Sequence, residues 1–215
     1  MNTKSLLQAG ALALALTATQ LPAAVIFDSL PNPSTIGTIR IDPGYVAQSF
    51  TVGATSYNLS SVVLSLGAKE LHGGGSTFFV ELLDATGAGH TPGAVLKTLT
   101  GNTDPTSAGQ YTFTPSTTTV LAANTSYYIA AGTASGADIY RWDIADVASG
   151  TNPYGVAQHG GSGWSLIGNS TSFGLAMQVN GSLSPVPEPS EWAAVSVAML
   201  GLVYVAKRRL APARQ

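Results

Sequence analysis

Cysteine is absent from the 215 residues of this chain, which excludes structural disulfides, cysteine nucleophiles and thiolate metal sites. Charge is nearly as scarce. Asp, Glu, Lys and Arg together make up 9% of the residues, against about 25% in a typical soluble domain. A helical bundle draws on Glu, Lys and Arg for its outer faces, so that class is excluded too. Positive charge is thinnest in the middle of the chain. Between Val25 and Ser184 only Arg40, Lys69, Lys97 and Arg141 stand against nine acidic residues. No basic stripe is left to neutralise phosphates, and nucleic acid is not an expected partner.

What fills the chain instead is small or polar and uncharged, with 24 glycines and abundant Ser and Thr. β-Branched Thr and Val fit a pleated surface, and Gly supplies turns. Segments of six to nine residues such as YVAQSFTVG, LSSVVLSLG, STFFVELLD, AVLKTLTG, GQYTFTP, TSYYIAAG, IYRWDIAD and FGLAMQVNG mostly end on Gly, Asp or Pro. In Gln110-Tyr111-Thr112-Phe113-Thr114 and in Tyr140-Arg141-Trp142-Asp143-Ile144 apolar and polar side chains alternate, the period of a half-buried strand. Turn signals recur every 10 to 20 residues or so, which favours antiparallel strands over a parallel sheet. The expectation is an all-β protein with one antiparallel β-sandwich or jelly-roll-like domain over residues 25–183.

The two ends read differently. Residues 1–24 place Lys4 ahead of an apolar stretch, Leu6 to Leu16, with small residues at Ala23 and Ala24. That is the layout of a secretory signal peptide, which implies export through the Sec translocon. Residues 184–191 form a proline-rich linker, and Trp192 to Ala206 run fifteen residues without a charge. As a helix this run rises about 22 Å, short of the roughly 30 Å hydrocarbon core. It is expected to be a short transmembrane helix over 192–206 that holds the membrane only transiently. Trp192 suits one interface, while Lys207, Arg208 and Arg209 open a basic cytoplasmic tail over 207–215.

Val186-Pro187-Glu188-Pro189-Ser190, followed by that short apolar run and by Lys207-Arg208-Arg209, resembles a PEP-CTERM sorting signal. The resemblance implies recognition by exosortase, a membrane protease and transpeptidase, with cleavage near Pro187-Glu188-Pro189. It also implies a Gram-negative setting in which exopolysaccharide is made. The protein would pass through an inner-membrane intermediate to the cell surface, outer envelope or medium. In physical terms Pro187 and Pro189 keep the chain extended and deny it a helix, leaving the segment accessible to a protease. The body has its own likeness. Gln48-Ser49-Phe50-Thr51-Val52-Gly53, Val80-Glu81-Leu82-Leu83-Asp84 with Thr91-Pro92-Gly93, Leu121-Ala122-Ala123-Asn124-Thr125-Ser126-Tyr127-Tyr128 and Gly161-Ser162-Gly163-Trp164-Ser165 resemble a choice-of-anchor R domain. That is an exported surface module to which the resemblance attaches no chemistry.

Residues of the types that carry catalysis or metal binding are dispersed along the chain. His159-Gly160-Gly161-Ser162-Gly163-Trp164 puts a serine near a histidine, but Trp164 stands where a nucleophile elbow needs glycine. His72, His90 and His159 have no metal-helix spacing. Asp138, Asp143 and Asp146 cluster along the chain and offer oxygen ligands of the kind calcium takes. Glu70 and Glu81 are candidates for the facing carboxyls of a glycosidase. His72-Gly73-Gly74-Gly75-Ser76 lacks the Gly-Lys-Ser/Thr of a phosphate cradle and reads as a loop. Tyr140, Trp142, Tyr154 and Trp164 form a polar-aromatic group whose flat faces suit sugar rings, with Trp142 and Trp164 the expected contacts. The function expected is therefore a non-catalytic surface or matrix protein without a cofactor. A carbohydrate-binding module is the alternative, and a secreted hydrolase comes after that.

Overall fold

The computed structural model describes residues 23–30, 35–42, 44–134, 137–145, 153–168 and 173–184. Most of the expected signal peptide and linker, and all of the 192–206 span and the basic tail, lie outside the described residues. So does Asp146. Among the described residues no helix is long and apolar enough to cross a membrane.

Fourteen strands follow one another: β1 (Ala24–Asp28), β2 (Thr35–Ile41), β3 (Tyr45–Thr51), β4 (Tyr57–Glu70), β5 (Phe78–Asp84), β6 (Val95–Thr100), β7 (Gly109–Pro115), β8 (Val120–Leu121), β9 (Ser126–Thr133), β10 (Ile139–Ala145), β11 (Val156–Gly160), β12 (Gly163–Gly168), β13 (Gly174–Leu175) and β14 (Met177–Leu183). A 3₁₀ turn over Ala88–His90 is the one helical element among the described residues. Among the described residues the chain is all-β, and every strand pair is antiparallel.

The main path runs β1-β14-β4-β7-β6-β5-β9-β3-β11-β12. β10 pairs with β2, β4 and β13, and β8 adds to β4. The sheet curls at the short β6–β7 ladder, where Leu99 opposes Pro115 and Thr100 opposes Thr114. One half, centred on β4, then packs with the other, centred on β9. Val62, Leu64, Leu66, Phe113, Trp142 and Val179 of the first half share one buried cluster with Val46, Phe50, Phe78, Val80, Leu82 and Ile129 of the second. The alternation read from sequence places these residues inward: on β7 Phe113 is buried, and on β10 Tyr140 and Trp142 are.

Two interruptions of the alternation matter later. On β4, Gly67 opposes Arg141 and Glu70 opposes Ile139, so this stretch of β4 carries one more residue than β10. Such a bulge changes which way the next side chains point, and Lys69 comes to lie over the Tyr140 ring, 5.4 Å from its centroid. The second interruption corrects an expectation. FGLAMQVNG is not one strand but β13 and β14, parted at Ala176. Backbone groups around that break are taken by other partners. Ala176 N–H donates to Asp143 O (2.8 Å), and its carbonyl accepts from Ser65 N (3.0 Å) and Trp142 Nε1 (2.9 Å). Leu175 N–H donates to Gln48 Oε1 (2.7 Å) and Met177 N–H to Ser29 Oγ (3.1 Å). Buried side chains thus satisfy groups that would otherwise be stranded in the core.

Candidate functional site

The outward face of the β9 half carries the densest group of partly exposed aromatic residues. Its layout follows from strand register. On β3, Val46 and Phe50 join the main core, so Tyr45, Ala47 and Ser49 point the other way. Cross-strand pairing then sets out rows. The first runs Trp164, His159, Tyr45, Gly132, Phe79 across β12, β11, β3, β9 and β5. The second runs Leu166, Ala157, Ala47, Ala130, Glu81 across the same strands. In the third, Ser49, Tyr128 and Leu83 follow in line.

Short residues in the second row let the rings settle. Ala47, Ala130 and Ala157 are buried, with Tyr45, Tyr154 and Trp164 packed against them and each still partly exposed. In the first row Trp164 meets His159 with centroids 5.3 Å apart, His159 meets Tyr45 at 5.6 Å, and Tyr45 meets Phe79 at 5.1 Å. These are tilted or edge contacts, the geometry ring quadrupoles prefer. Gly132 makes the last contact possible. A Cβ there would lie 2.8 Å from Phe79 Cζ and 2.9 Å from Tyr45 Cδ1.

Beside the third row, His90 stacks flat on Tyr154, 4.5 Å between centroids with 2° between planes. Tyr128 Oη donates to the His90 carbonyl at 2.8 Å, tying the 3₁₀ turn to the sheet. Burial pushes the Tyr128 hydroxyl pKa above its usual range. Glu81 ends the alanine row with its carboxyl half-buried. Loss of hydration raises its pKa, partly offset by the Thr98 hydroxyl donating to Oε1 at 3.4 Å. The arrangement offers flat apolar rings edged by Tyr hydroxyl and imidazole groups, with an acceptor at one end.

A second polar cluster lies at the end of β4. Lys69 Nζ sits 2.6 Å from Asp104 Oδ1 and 3.1 Å from Asp138 Oδ2, and the Lys69 and Asp138 side chains are 5% and 3% exposed. Tyr140 Oη donates to Asp104 Oδ1 at 2.7 Å and to the Ser76 carbonyl at 2.9 Å. The Asp104 hydrogen bond is the largest influence holding Lys69 well above its usual pKa. Backbone donation from His72, then Lys69, holds Asp138 below the usual carboxylate range.

The residues singled out from sequence meet different fates. Trp142 is fully buried between the halves and presents no face to a sugar, which corrects its assignment as a contact; Tyr140 is buried as well. Trp164 keeps a partly exposed ring, now in the company of Tyr45, His159 and Phe79, which sequence reasoning missed. The signal that could have found them is the short alternation of Tyr45 and Ala47, repeated in Ala157 and His159.

Of the three aspartates that cluster along the chain, Asp138 is neutralised by Lys69, Asp143 Oδ2 accepts from Ser65 Oγ at 2.7 Å and Asp146 lies outside the described residues; among the described residues there is no group of three or more His, Asp or Glu able to hold a metal. Glu70 pairs with Arg141 on the β4 half, whereas Glu81 lies on the β9 half, so they do not form a facing pair. Ser162 occupies the exposed β11–β12 turn, and the His159 ring beside it is engaged by Tyr45 and Trp164. Pro187, Glu188, Pro189, Trp192, Lys207, Arg208 and Arg209 lie outside the described residues.

Together, fold and surface define an all-β module with an aromatic outer face. No known family model matches the chain, and no curated protein matches it.

Proposed function

We propose that this chain is an exported, non-catalytic protein of the cell surface or extracellular matrix, whose body holds exopolysaccharide on the aromatic face around Trp164. Its tail is a PEP-CTERM signal that exosortase cleaves near Pro187-Glu188-Pro189. The body is a β-sandwich of jelly-roll type, of the choice-of-anchor R kind. Support for the fold reading comes from the two halves packed over one core. Support for export comes from the order of features at the two ends.

The observation that carries the binding reading is the row of rings from Trp164 to Phe79, laid over alanines and partly open to solvent. Aromatic side chains of this kind bring a large apolar face with a polar rim. A pyranose ring has the matching shape, one face of C–H groups edged by hydroxyls. His159, Tyr45 and Glu81 can bond those hydroxyls.

Two variants test it. Trp164→Ala removes the outermost ring, and Gly132→Ala crowds Tyr45, Phe79 and the Gly44 carbonyl on the outer face. Each is expected to weaken retention on the native exopolysaccharide about tenfold or more, which is ~1.4 kcal/mol, with circular dichroism unchanged. Unaltered retention by both folded variants would remove the glycan reading and leave the sorting reading standing.

A further inference from the structure

Lys69, Asp104 and Asp138 are arranged as the parts of an acyl-transfer site. We propose that Lys69 and Asp138 become joined by an intramolecular amide bond, formed autocatalytically with Asp104 as the proton carrier. The inference does not rest on the glycan reading, since none of these residues belongs to the aromatic rows.

Each part has a position that suits its task. The amine, Lys69 Nζ, lies 3.1 Å from Asp138 Oδ2, and both side chains are almost wholly buried. Asp138 Oδ1 accepts the backbone N–H of His72 at 2.9 Å. A backbone donor aimed at a carboxyl oxygen is what stabilises the oxyanion of a tetrahedral intermediate. Asp104 Oδ1 lies 2.6 Å from Nζ and is held by the Tyr140 hydroxyl at 2.7 Å. Its side chain is 52% exposed, so it can exchange protons but is poorly shielded from water. That difference in exposure selects Asp138 as the acyl partner and Asp104 as the carrier.

The glycine run His72-Gly73-Gly74-Gly75-Ser76 also finds a use here. Gly73 and Gly75 have φ of +78° and +51°, and a Cβ on Gly74 would lie 2.6 Å from Ala137 N. Only glycine lets the loop close so tightly over the residue preceding Asp138. What reads from sequence as a failed phosphate cradle is a cradle for a carboxyl group.

The step balances without any other reagent. In the unlinked chain the amine is protonated and the carboxylates ionised. The ion pair opposes the first transfer, which is therefore the slow step: Asp104 takes one proton from Nζ and passes it to Asp138 Oδ2. The freed electron pair of Nζ attacks Cγ, and negative charge gathers on Oδ1 under the His72 N–H. A second Nζ proton follows through Asp104 to Oδ2, the Cγ–Oδ2 bond breaks, and one water leaves. Asp104 ends as it began.

Holding the partners at contact supplies the effective concentration that free amine and acid lack in water. The product also replaces two buried charges by a neutral amide, removing a desolvation penalty. The link would close a loop between positions 69 residues apart, a constraint of the kind disulfides give, in a chain without cysteine.

Tryptic mapping of the purified full-length protein tests this. An acylated Lys69 is not cut, so residues 41–97 are expected in one branched species with residues 98–141, lighter than their sum by one water. Fragmentation should place the branch on Asp138. Lys69→Arg is expected to abolish the species, and Asp104→Asn to reduce it at least tenfold. Free 41–69 as the sole product of the unaltered protein would overturn the proposal, as would a branch located on Asp104.

Discussion

Trp142→Ala is expected to cost the fold about 3–5 kcal/mol, the range for deleting a large buried aromatic. Trp142 has no exposed surface and sits in the cluster shared by the two halves of the sheet. Its neighbours across the strands are Ile39 on β2 and Leu66 on β4, so the cavity would open where three strands meet. The indole also donates to Ala176 O at 2.9 Å. That carbonyl belongs to the break between β13 and β14, where side chains rather than a ladder satisfy the backbone.

Trp142→Phe separates the two contributions. Phenylalanine keeps most of the apolar contact but removes one of the two donors to that carbonyl, Ser65 N–H remaining, a loss of about 0.5–1.5 kcal/mol. Native domains hold only about 5–15 kcal/mol in reserve, so the alanine variant should melt well below the parent, by roughly 10 °C or more. Urea unfolding followed by circular dichroism measures both. Trp164→Ala, on the outer face, should lose far less. Equal losses at 142 and 164 would mean that the division between a shared core and an aromatic exterior is wrong.

That contrast shows what the sequence makes legible and what it hides. Composition and period-two alternation were enough for an all-β antiparallel body, because inward Phe113, Tyr140 and Trp142 alternate with polar neighbours on their strands. They were not enough for β2, β11 and β12. Thr35-Ile36-Gly37-Thr38 carries a glycine inside a strand, and β12 is bounded by Gly163 and Gly168, so both resemble turns.

Alternation also cannot say which face of a strand meets the core when both faces carry rings. Trp142 and Trp164 look alike in sequence. Only the β10–β4 pairing puts one inside, and only the β11–β12 pairing puts the other beside His159 on the outside. The Lys69 cluster was hidden for a further reason: its members come from β4, the β6–β7 loop and the start of β10, brought together by a bulge that no local pattern announces.

The other large effect is expected in export. Changing Glu188 to Ala, or deleting Lys207, Arg208 and Arg209, should leave an uncleaved product in the inner membrane in place of mature protein at the surface or in the medium. Fifteen uncharged residues rise about 22 Å as a helix, less than the roughly 30 Å hydrocarbon core. A helix this short holds the bilayer under mismatch, so it serves a passing intermediate better than a permanent anchor.

On the sorting proposal, Lys207, Arg208 and Arg209 would fix its orientation, since cationic flanks stay on the cytoplasmic side, and without them the Pro187-Glu188-Pro189 segment would lose a defined place outside the membrane. Glu188 would act differently: it is the one charged residue in the Pro187-Glu188-Pro189 triplet, the feature a protease pocket can bind by charge. Intact mass of the protein recovered from envelope and medium reads both variants against the parent. A parent whose mature mass still includes Arg208 and Arg209 would sink the sorting reading. Normal release of the Glu188 variant would show that charge in the triplet plays no part in recognition.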